Sequence, residues 1–294
     1  MRAAATVLGL QESPSLHALL AAGPTLLFLT VPDSLVSTVA AEVASAWDSL
    51  PLAYEPIAVT HTSGVTPVSA LDPCLHAGAI TFGFHPLQTF AGHETGATHF
   101  AGATIAVAPG PRGGWELGRD LALALGAEPA LLAEDARTLY HAAACMASNY
   151  LVALEHIAES MFVRAGLPAD TALTAFLPLV RGAVDNLVAH GTIEALTGPL
   201  SRGDISTIEQ HLAALREQMP DIETLYRALG LATLEIVRKR GQVPRDTLES
   251  LEVVLRDAGG PKGGAETAPP ADSGPSSRLI ESFSHPPDTG VSHE

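Results

Sequence analysis

Four polar residues recur at helical spacing within a small and otherwise apolar segment of the chain. They are His141, Cys145, Ser148 and Asn149, and alanines fill most of the positions between them. At about 100° per residue, positions i, i+4, i+7 and i+8 share one face of a helix. Polar groups are costly to bury without partners, so this face indicates a lined pocket whose imidazole could exchange a proton near neutral pH. The alternative is a helix whose polar side chains satisfy one another or a neighbouring backbone.

Three further polar signatures follow apolar segments that are typical of strands. They are Val31-Pro-Asp33, His61-Thr-Ser-Gly64 and His85-Pro-Leu-Gln-Thr-Phe90. Ligands of open α/β sheets bind beyond the carboxyl ends of the strands, and catalytic groups favour loops on a rigid scaffold. The signatures therefore predict a ligand site at one edge of a sheet. Ordinary turn chemistry is the alternative, because Pro and Asp stop strands and cap helices and Gly supplies a permissive backbone.

A fourth polar cluster runs from Leu196 to Asp204 and is followed by His211. Arg202 could hold a carboxylate or phosphate through a two-pronged contact. The tripeptide Arg-Gly-Asp also occurs in adhesion ligands, but a chain that shows no secretion signal makes that interpretation unattractive. The alternative for Asp204 is a capping role, in which its carboxylate accepts from free amides at the start of the next helix.

The elements that must position these residues alternate in the first part of the chain. Apolar segments at 25–31, 56–60, 78–84 and 103–108 predict strands, and helical spacing occurs at 34–46, 67–76 and 115–125. This alternation indicates a doubly wound α/β sheet. After residue 113 we find no strand signal and expect helices near 131–164, 168–189, 204–217, 221–239 and 244–257.

These patterns predict a domain organisation in three parts. Residues 1–128 are predicted to form an α/β domain, and residues 129–258 an all-α domain. Residues 259–294 consist largely of Gly, Pro, Ser and Ala, a composition that favours a disordered tail.

Composition excludes several classes of protein. The formal net charge of −16 argues against nucleic acid or an anionic membrane as the main partner. The two cysteines, Cys74 and Cys145, form no CxxC pair and suggest neither a disulfide framework nor a metal site. The longest apolar run, 26–31, is too short to span a bilayer, and the N-terminus does not resemble a signal peptide. A soluble cytoplasmic protein is the default expectation.

Taken in order, these motifs resemble those of proteins with a Rossmann-like domain and a DUF2520 domain. The resemblance rests on the three strand-end signatures and on Tyr140-His141, Ser148-Asn149-Tyr150, Leu196-Thr-Gly-Pro199, Arg202-Gly-Asp204 and His211, and it covers about residues 20–240. That family is similar to the 6-phosphogluconate dehydrogenase-like group, which includes ketopantoate reductase, pyrroline-carboxylate reductase and prephenate dehydrogenase. The resemblance implies an NAD(P)-dependent oxidoreductase that acts on a small carbonyl, imine or hydroxy acid between its domains, and a homodimer formed through the helical domain.

The resemblance also implies roles for individual residues. His141 stands where related enzymes place a catalytic lysine, and an imidazole can fill that acid–base role. We expect His141 and Asn149 to be catalytic, facing a cleft shared with the strand-end loops, with His85 as the rival proton donor. The cofactor-binding prediction comprises Val31, Pro32, Asp33, His61, Ser63 and Gly64. The substrate-binding prediction comprises His85, Gln88, Ser148, Arg202 and Asp204.

One motif of dinucleotide-binding domains does not stand before residue 25. Such a domain opens with a strand, G-x-G-x-x-G and a helix whose N-terminus holds the pyrophosphate, whereas residues 1–24 contain only Gly9 and Gly23. The Rossmann-like domain that the resemblance implies for residues 1–128 therefore lacks its first strand–helix units. Either the true start of the protein lies upstream, or this chain has lost its pyrophosphate-binding loop. We expect the chain as given to bind NADP or NAD weakly. The alternative function is a cofactor-free, non-enzymatic binding or scaffold protein that has lost the dinucleotide loop.

Overall fold

The computed structural model describes residues 13–50, 57–90 and 99–257. The predicted disordered tail, residues 259–294, lies outside these ranges. Contacts divide the chain into two compact units, Met1–Gly166 and Leu167–Glu294, which we call the sheet unit and the helical unit. This division falls after residue 166, whereas the sequence placed a boundary after residue 128.

A five-stranded sheet organises the sheet unit. Its strands are β1 (Leu26–Leu29), β2 (Ala58–His61), β3 (Ile80–Pro86), β4 (Thr104–Pro109) and β5 (Glu128–Leu131), in the spatial order β1-β2-β3-β4-β5. The pairs β1–β2, β2–β3 and β4–β5 are parallel. All four residues of β2 are buried, as expected for a strand covered on both faces. The mostly parallel sheet and the helical region after it confirm the predicted fold class.

Two features of the sheet depart from the sequence analysis. Strand β4 runs antiparallel to β3, which the alternating pattern did not predict. Strand β5 was missed, since residues 128–131 read Glu-Pro-Ala-Leu and carry no strand signal. A proline interrupts a sheet's hydrogen bonding unless the strand lies at an edge, and β5 is an edge strand.

The described residues of the sheet unit form six helices: α1 (Leu16–Ala21), α2 (Val36–Asp48), α3 (Asp72–His76), α4 (Trp115–Ala124), α5 (Arg137–Ala147) and α6 (Asn149–Arg164). Short 3₁₀ segments at Asp33–Leu35, Val68–Leu71 and Glu134–Ala136 precede α2, α3 and α5. The neighbours Ala58 and Val59 belong to different hydrophobic clusters, because successive strand residues point to opposite faces. The sheet therefore has an apolar core on each side.

The predicted single helix over 131–164 is wrong in two respects. It begins only at Arg137, because Leu131 belongs to β5. It is also divided at Ser148, whose backbone angles of φ −122° and ψ −67° are not helical, so α5 and α6 are separate. The division places Asn149 at the beginning of α6 rather than in the interior of one long helix.

The helical unit contains α7 (Ala172–Glu194), α8 (Pro199–Arg202), α9 (Ile205–Gln218), α10 (Pro220–Arg240) and α11 (Arg245–Arg256). Its core comprises Ile208, Leu212, Leu234, Val237, Leu251 and Leu255. Gly191, at φ 71°, interrupts α7 near its end. The four predicted helices of this region agree with α7, α9, α10 and α11.

One segment of the helical unit, Ala172–Arg202, is long and apolar enough to cross a membrane by length and composition alone. Only 11% of its most apolar stretch is buried. The same test is passed by core helices of soluble proteins, but a core helix is mostly buried, and this segment is not.

Candidate functional site

The carboxyl ends of β1, β2 and β3 lie at one edge of the sheet, because these three strands are parallel neighbours. Asp33 opens the 3₁₀ segment after β1, His61 ends β2, and His85 is the penultimate residue of β3. The Asp33 carboxylate acts electrostatically on both histidines. The structure therefore brings the three predicted strand-end signatures together.

Helix α5 adds its own side chains to this edge. The Tyr140 hydroxyl lies 2.9 Å from His85 Nδ1, within hydrogen-bond distance, and the two rings meet edge to face at 88°. The His141 ring lies 6.2 Å from the His85 ring, centroid to centroid. Tyr140 and His141 of α5 thus lie against His85 at the end of β3.

Glycine is required at Gly64 for this arrangement. A Cβ added there would lie 2.7 Å from His141 Cδ2 and 2.8 Å from His85 Nε2, closer than side-chain carbons approach other atoms. The backbone of the β2 loop therefore sits directly against both imidazoles. A second close approach occurs at Gly83, where a Cβ would lie 2.7 Å from an Arg137 guanidinium nitrogen.

Burial lowers the pKa of His85 to about 4, and the nearby His141 and Arg137 act in the same direction. Burial also raises the pKa of the Tyr140 hydroxyl. Both partners of the hydrogen bond are consequently neutral at pH 7. Either the Tyr140 O–H donates to Nδ1, or the Nδ1–H donates to the phenol oxygen, depending on the tautomer of the ring.

His61 is fully buried, and its ring nitrogens make no hydrogen bond of good geometry to the described residues, although the Pro67 backbone acts weakly on the ring. Burial first, and then the Arg137 cation, lowers the pKa of His61 to about 4. The Ser63 hydroxyl is engaged within its own loop, where it donates to Thr66 Oγ1 and accepts from two backbone amides, of Val65 and Thr66. These two side chains shape the interior of the loop, so any cofactor contact there would be made by other atoms of the loop.

Arg137 is a residue of this site that the sequence analysis missed. It is buried, it donates from Nη2 to the Ser63 carbonyl at 2.7 Å, and its Nε lies 3.9 Å from a Glu134 carboxylate oxygen. Glu134 in turn accepts from the Val68 amide at 2.8 Å. Arg137 therefore fixes the β2 loop against α5. The available signal was its position three and four residues before Tyr140 and His141, on the same helix face.

A cleft of about 640 Å³ opens beside the two imidazoles. It is lined by His85, Leu87, Gln88, Thr89, Phe90, Tyr140, His141, Ala143, Ala144, Cys145, Ala147, Ser148 and Asn149. Both residues predicted to be catalytic line it, together with His85, Gln88 and Ser148 of the predicted substrate set. Because none of the described lining residues is a carboxylate, the described part of the cleft surface is formed by neutral polar groups, two imidazoles and apolar carbon.

Arg202 and Asp204 belong to the helical unit. The Asp204 carboxylate caps α9, accepting from the Thr207 amide at 3.1 Å and from the Thr207 hydroxyl at 2.6 Å. These hydrogen bonds lower the pKa of Asp204. The capping alternative for Asp204 is thus confirmed, and a substrate role for Arg202 stays a prediction.

Residues 104–233 match the family model described as "Domain of unknown function (DUF2520)". The matched region begins with β4 and ends within α10, so it includes α5 with its cleft residues. The predicted resemblance is confirmed. No curated protein sequence is significantly similar to the chain.

Solved structures share the fold. TM1727 from Thermotoga maritima matches with a TM-score of 0.63 and 21% identity, covering 82% of this chain and 87% of that chain. BF3122 from Bacteroides fragilis, provisionally described as an NADP oxidoreductase, matches with a TM-score of 0.56 and 19% identity, covering 76% of this chain and 80% of that chain. A Plasmodium falciparum pyrroline carboxylate reductase with NADP bound matches with a TM-score of 0.52 and 11% identity, covering 84% of this chain and 82% of that chain. At these identities the likeness shows a Rossmann-like fold with a helical C-terminal region.

Proposed function

We propose that this DUF2520 protein is an oxidoreductase that moves hydride between a nicotinamide cofactor and a small carbonyl, imine or hydroxy acid. The observation that carries the proposal is the pairing of His85 and His141 across Gly64, in one cleft at the carboxyl edge of the parallel strands. Ligands of open α/β folds bind at this edge. The fold shared with BF3122 and with the NADP-bound reductase supports the same class of reaction.

The two histidines are suited to different tasks. At pH 7 a group with a pKa of about 4 is protonated in roughly one molecule in a thousand, so His85 is a poor resting proton donor. We assign proton transfer to the substrate oxygen or nitrogen to His141, and to His85 the role of a neutral hydrogen-bonding partner held by Tyr140. Asn149, Ser148 and Gln88 line the same cleft and would orient the polar groups of the substrate.

NADP or NAD is the implied cofactor, and when bound it supplies the hydride. The loop after β1 offers the exposed Pro32 and Asp33, next to the partly buried Val31. In the loop after β2, Gly64 is buried against the two imidazoles and would support the surface that these rings present to the cofactor. His61 and Ser63 would support that surface from within, through the loop that Arg137 holds.

We further propose that the protein is a cytoplasmic homodimer formed through α7. Large apolar side chains are exposed along this helix, among them Leu179 at 71% and Val188 at 84%. Arg181 and Asp185 are exposed between them, and Gly191 interrupts the helix. Charges and broken backbone are costly in lipid, so a second protein copy suits this surface better than a bilayer.

Light scattering after size-exclusion chromatography tests the dimer. Val188→Asp should convert a dimer to a monomer, whereas Val253→Asp, on the exposed face of α11, should not. A wild-type protein that is monomeric, or that partitions into detergent or vesicles, would overturn this part of the proposal.

Fluorescence titration with NADPH and NADH, followed by a turnover assay with small oxo acids, aldehydes and cyclic imines, tests the activity. The sequence-based expectation is weak binding, with turnover of at least one substrate class at millimolar cofactor. Micromolar binding would support the oxidoreductase and refute the expected weakness. Absence of both binding and turnover up to millimolar cofactor would favour the cofactor-free alternative.

A further inference from the structure

The cleft contains a nucleophile that the proposed reaction does not use. Cys145 lies one helical turn after His141, and its Sγ is 3.9 Å from His141 Nδ1, within hydrogen-bond distance for sulfur. The thiol is partly exposed and lines the cleft with Ser148 and Asn149. We propose that Cys145 is a modification site for hydroperoxides, at which oxidation places a polar oxygen beside His141.

The other cysteine provides an internal contrast. Cys74 is fully buried, and its thiol donates to the Ala40 carbonyl at 3.2 Å. Burial raises the pKa of Cys74 to about 11. At pH 7 only about one Cys74 in ten thousand is a thiolate, roughly 300-fold fewer than for an ordinary thiol with a pKa near 8.5. Because the thiolate is the nucleophile, Cys74 is a structural residue.

The pairing with His141 supplies what the thiol chemistry requires. The imidazole accepts the Cys145 proton, and the thiolate attacks one oxygen of the peroxide. A sulfur–oxygen bond forms while the oxygen–oxygen bond breaks, and the leaving oxygen takes the proton from the imidazolium and departs as water or alcohol. The sulfur is oxidised by two electrons to a sulfenic acid, which an added thiol reduces again through a disulfide.

The new oxygen would affect the proposed reaction, because Cys145 lies beside His141 in the cleft. This effect on activity rests on the proposed function. The sulfenic hydroxyl would stand in the cleft next to His141 and hydrogen-bond to Nδ1. It would compete with a substrate for the hydrogen bond to His141, the proposed proton donor. Oxidation of Cys145 would therefore slow proton transfer, while the buried Cys74 stays unmodified.

Peroxide treatment of the intact protein in the presence of dimedone, followed by peptide mass spectrometry, tests the site directly. We expect the adduct on Cys145 and none on Cys74, and alkylation of Cys145 by iodoacetamide at least about 100-fold faster than that of Cys74 at pH 7. His141→Gln should slow both reactions of Cys145 several-fold at pH 7 and should shift their pH profiles upward. His141→Asn, with melting temperatures measured for both variants, guards against a folding defect.

The outcomes separate this proposal from the proposed function. Labelling needs neither cofactor nor substrate, so a missing oxidoreductase activity leaves the test intact, and failed labelling leaves the oxidoreductase proposal untouched. Equal reactivity of the two cysteines, or reactivity of Cys145 that His141→Gln and His141→Asn leave unchanged in folded protein, would overturn the modification site.

Discussion

The molecule contains two histidine–tyrosine pairs of almost the same geometry, one in each unit. His85 Nδ1 and the Tyr140 hydroxyl are 2.9 Å apart, and His211 Nδ1 and the Tyr226 hydroxyl are 2.7 Å apart. The ring planes cross at 88° and 85°. Both tyrosines have a pKa raised by burial. The contact itself therefore does not distinguish the two places.

The surroundings of the two histidine–tyrosine pairs differ. His85 is partly buried, and burial first, then the neighbouring His141 and Arg137, lower its pKa to about 4. His211 is exposed on α9, where solvent reaches the ring. Among the described residues, the first pair lines a cleft with further polar side chains. The comparison shows that burial and neighbouring groups, rather than the hydrogen-bonded pair itself, hold the His85 imidazole neutral at pH 7.

The largest expected effect concerns turnover. His141→Gln should lower the turnover number about 10²- to 10⁴-fold, the usual loss for a positioned acid–base group. His211→Gln, which breaks the exposed pair, should leave turnover within a few-fold. Steady-state kinetics with any substrate found for the protein measure both. If His85→Gln abolishes turnover in folded protein while His141→Gln does not, the two histidines have been assigned the wrong way round.

A third histidine, His61, extends the comparison to a fully buried ring. The pKa of His61 in the folded protein is about 4, below its ordinary value of 6.5, so the unfolded chain binds the proton more readily. Its contribution to stability is full above pH 6.5 and is lost as the pH falls toward 4, by about 3 kcal/mol. Urea unfolding of wild type and His61→Gln across this range should show a shallower pH dependence for the variant. Parallel curves would refute the shift.

Gly64 lies against the His85 ring of the first pair and against the neighbouring His141 ring. Gly64→Ala places a Cβ within 3 Å of both imidazoles and should lower stability by about 1–3 kcal/mol. The penalty should shrink when His141→Ala is present, because the nearest of the clashing atoms is then gone. Chemical denaturation of the four proteins in this cycle measures the coupling. Strict additivity would mean that the loop does not rest on His141.

The smallest expected effect compares the tyrosines directly. Tyr140→Phe leaves the partly buried His85 Nδ1 without its partner and should cost about 0.5–1.5 kcal/mol of unfolding free energy. Tyr226→Phe should cost less, because water can reach the exposed His211. Melting curves of the two variants show which substitution costs more stability. The reverse order would show that burial of the His85 ring is not what separates the pairs.

The sequence predicted those parts of the site that depend on local patterns. The strand-end signatures and the helical spacing of His141 and Cys145 follow from chain direction and helix geometry, and the structure brings their side chains together. The break at Ser148 could not be predicted in this way, since no Gly or Pro marks it. Arg137 was missed because its burial depends on a carbonyl 74 residues earlier in the chain. The antiparallel β4 and the proline-containing β5 likewise result from long-range pairing.

The central claim is that the cleft holds His85 as a neutral imidazole beside a proton-transferring His141. Nitrogen-15 NMR of the histidine side chains, followed from pH 8 to pH 3.5 with His85→Gln for assignment, tests it most directly. The account predicts that the His85 ring stays neutral until the pH approaches about 4. A His85 ring that titrates near its ordinary pKa of 6.5 would contradict the account, because the cleft would then provide neither the burial nor the charges on which the assignment depends.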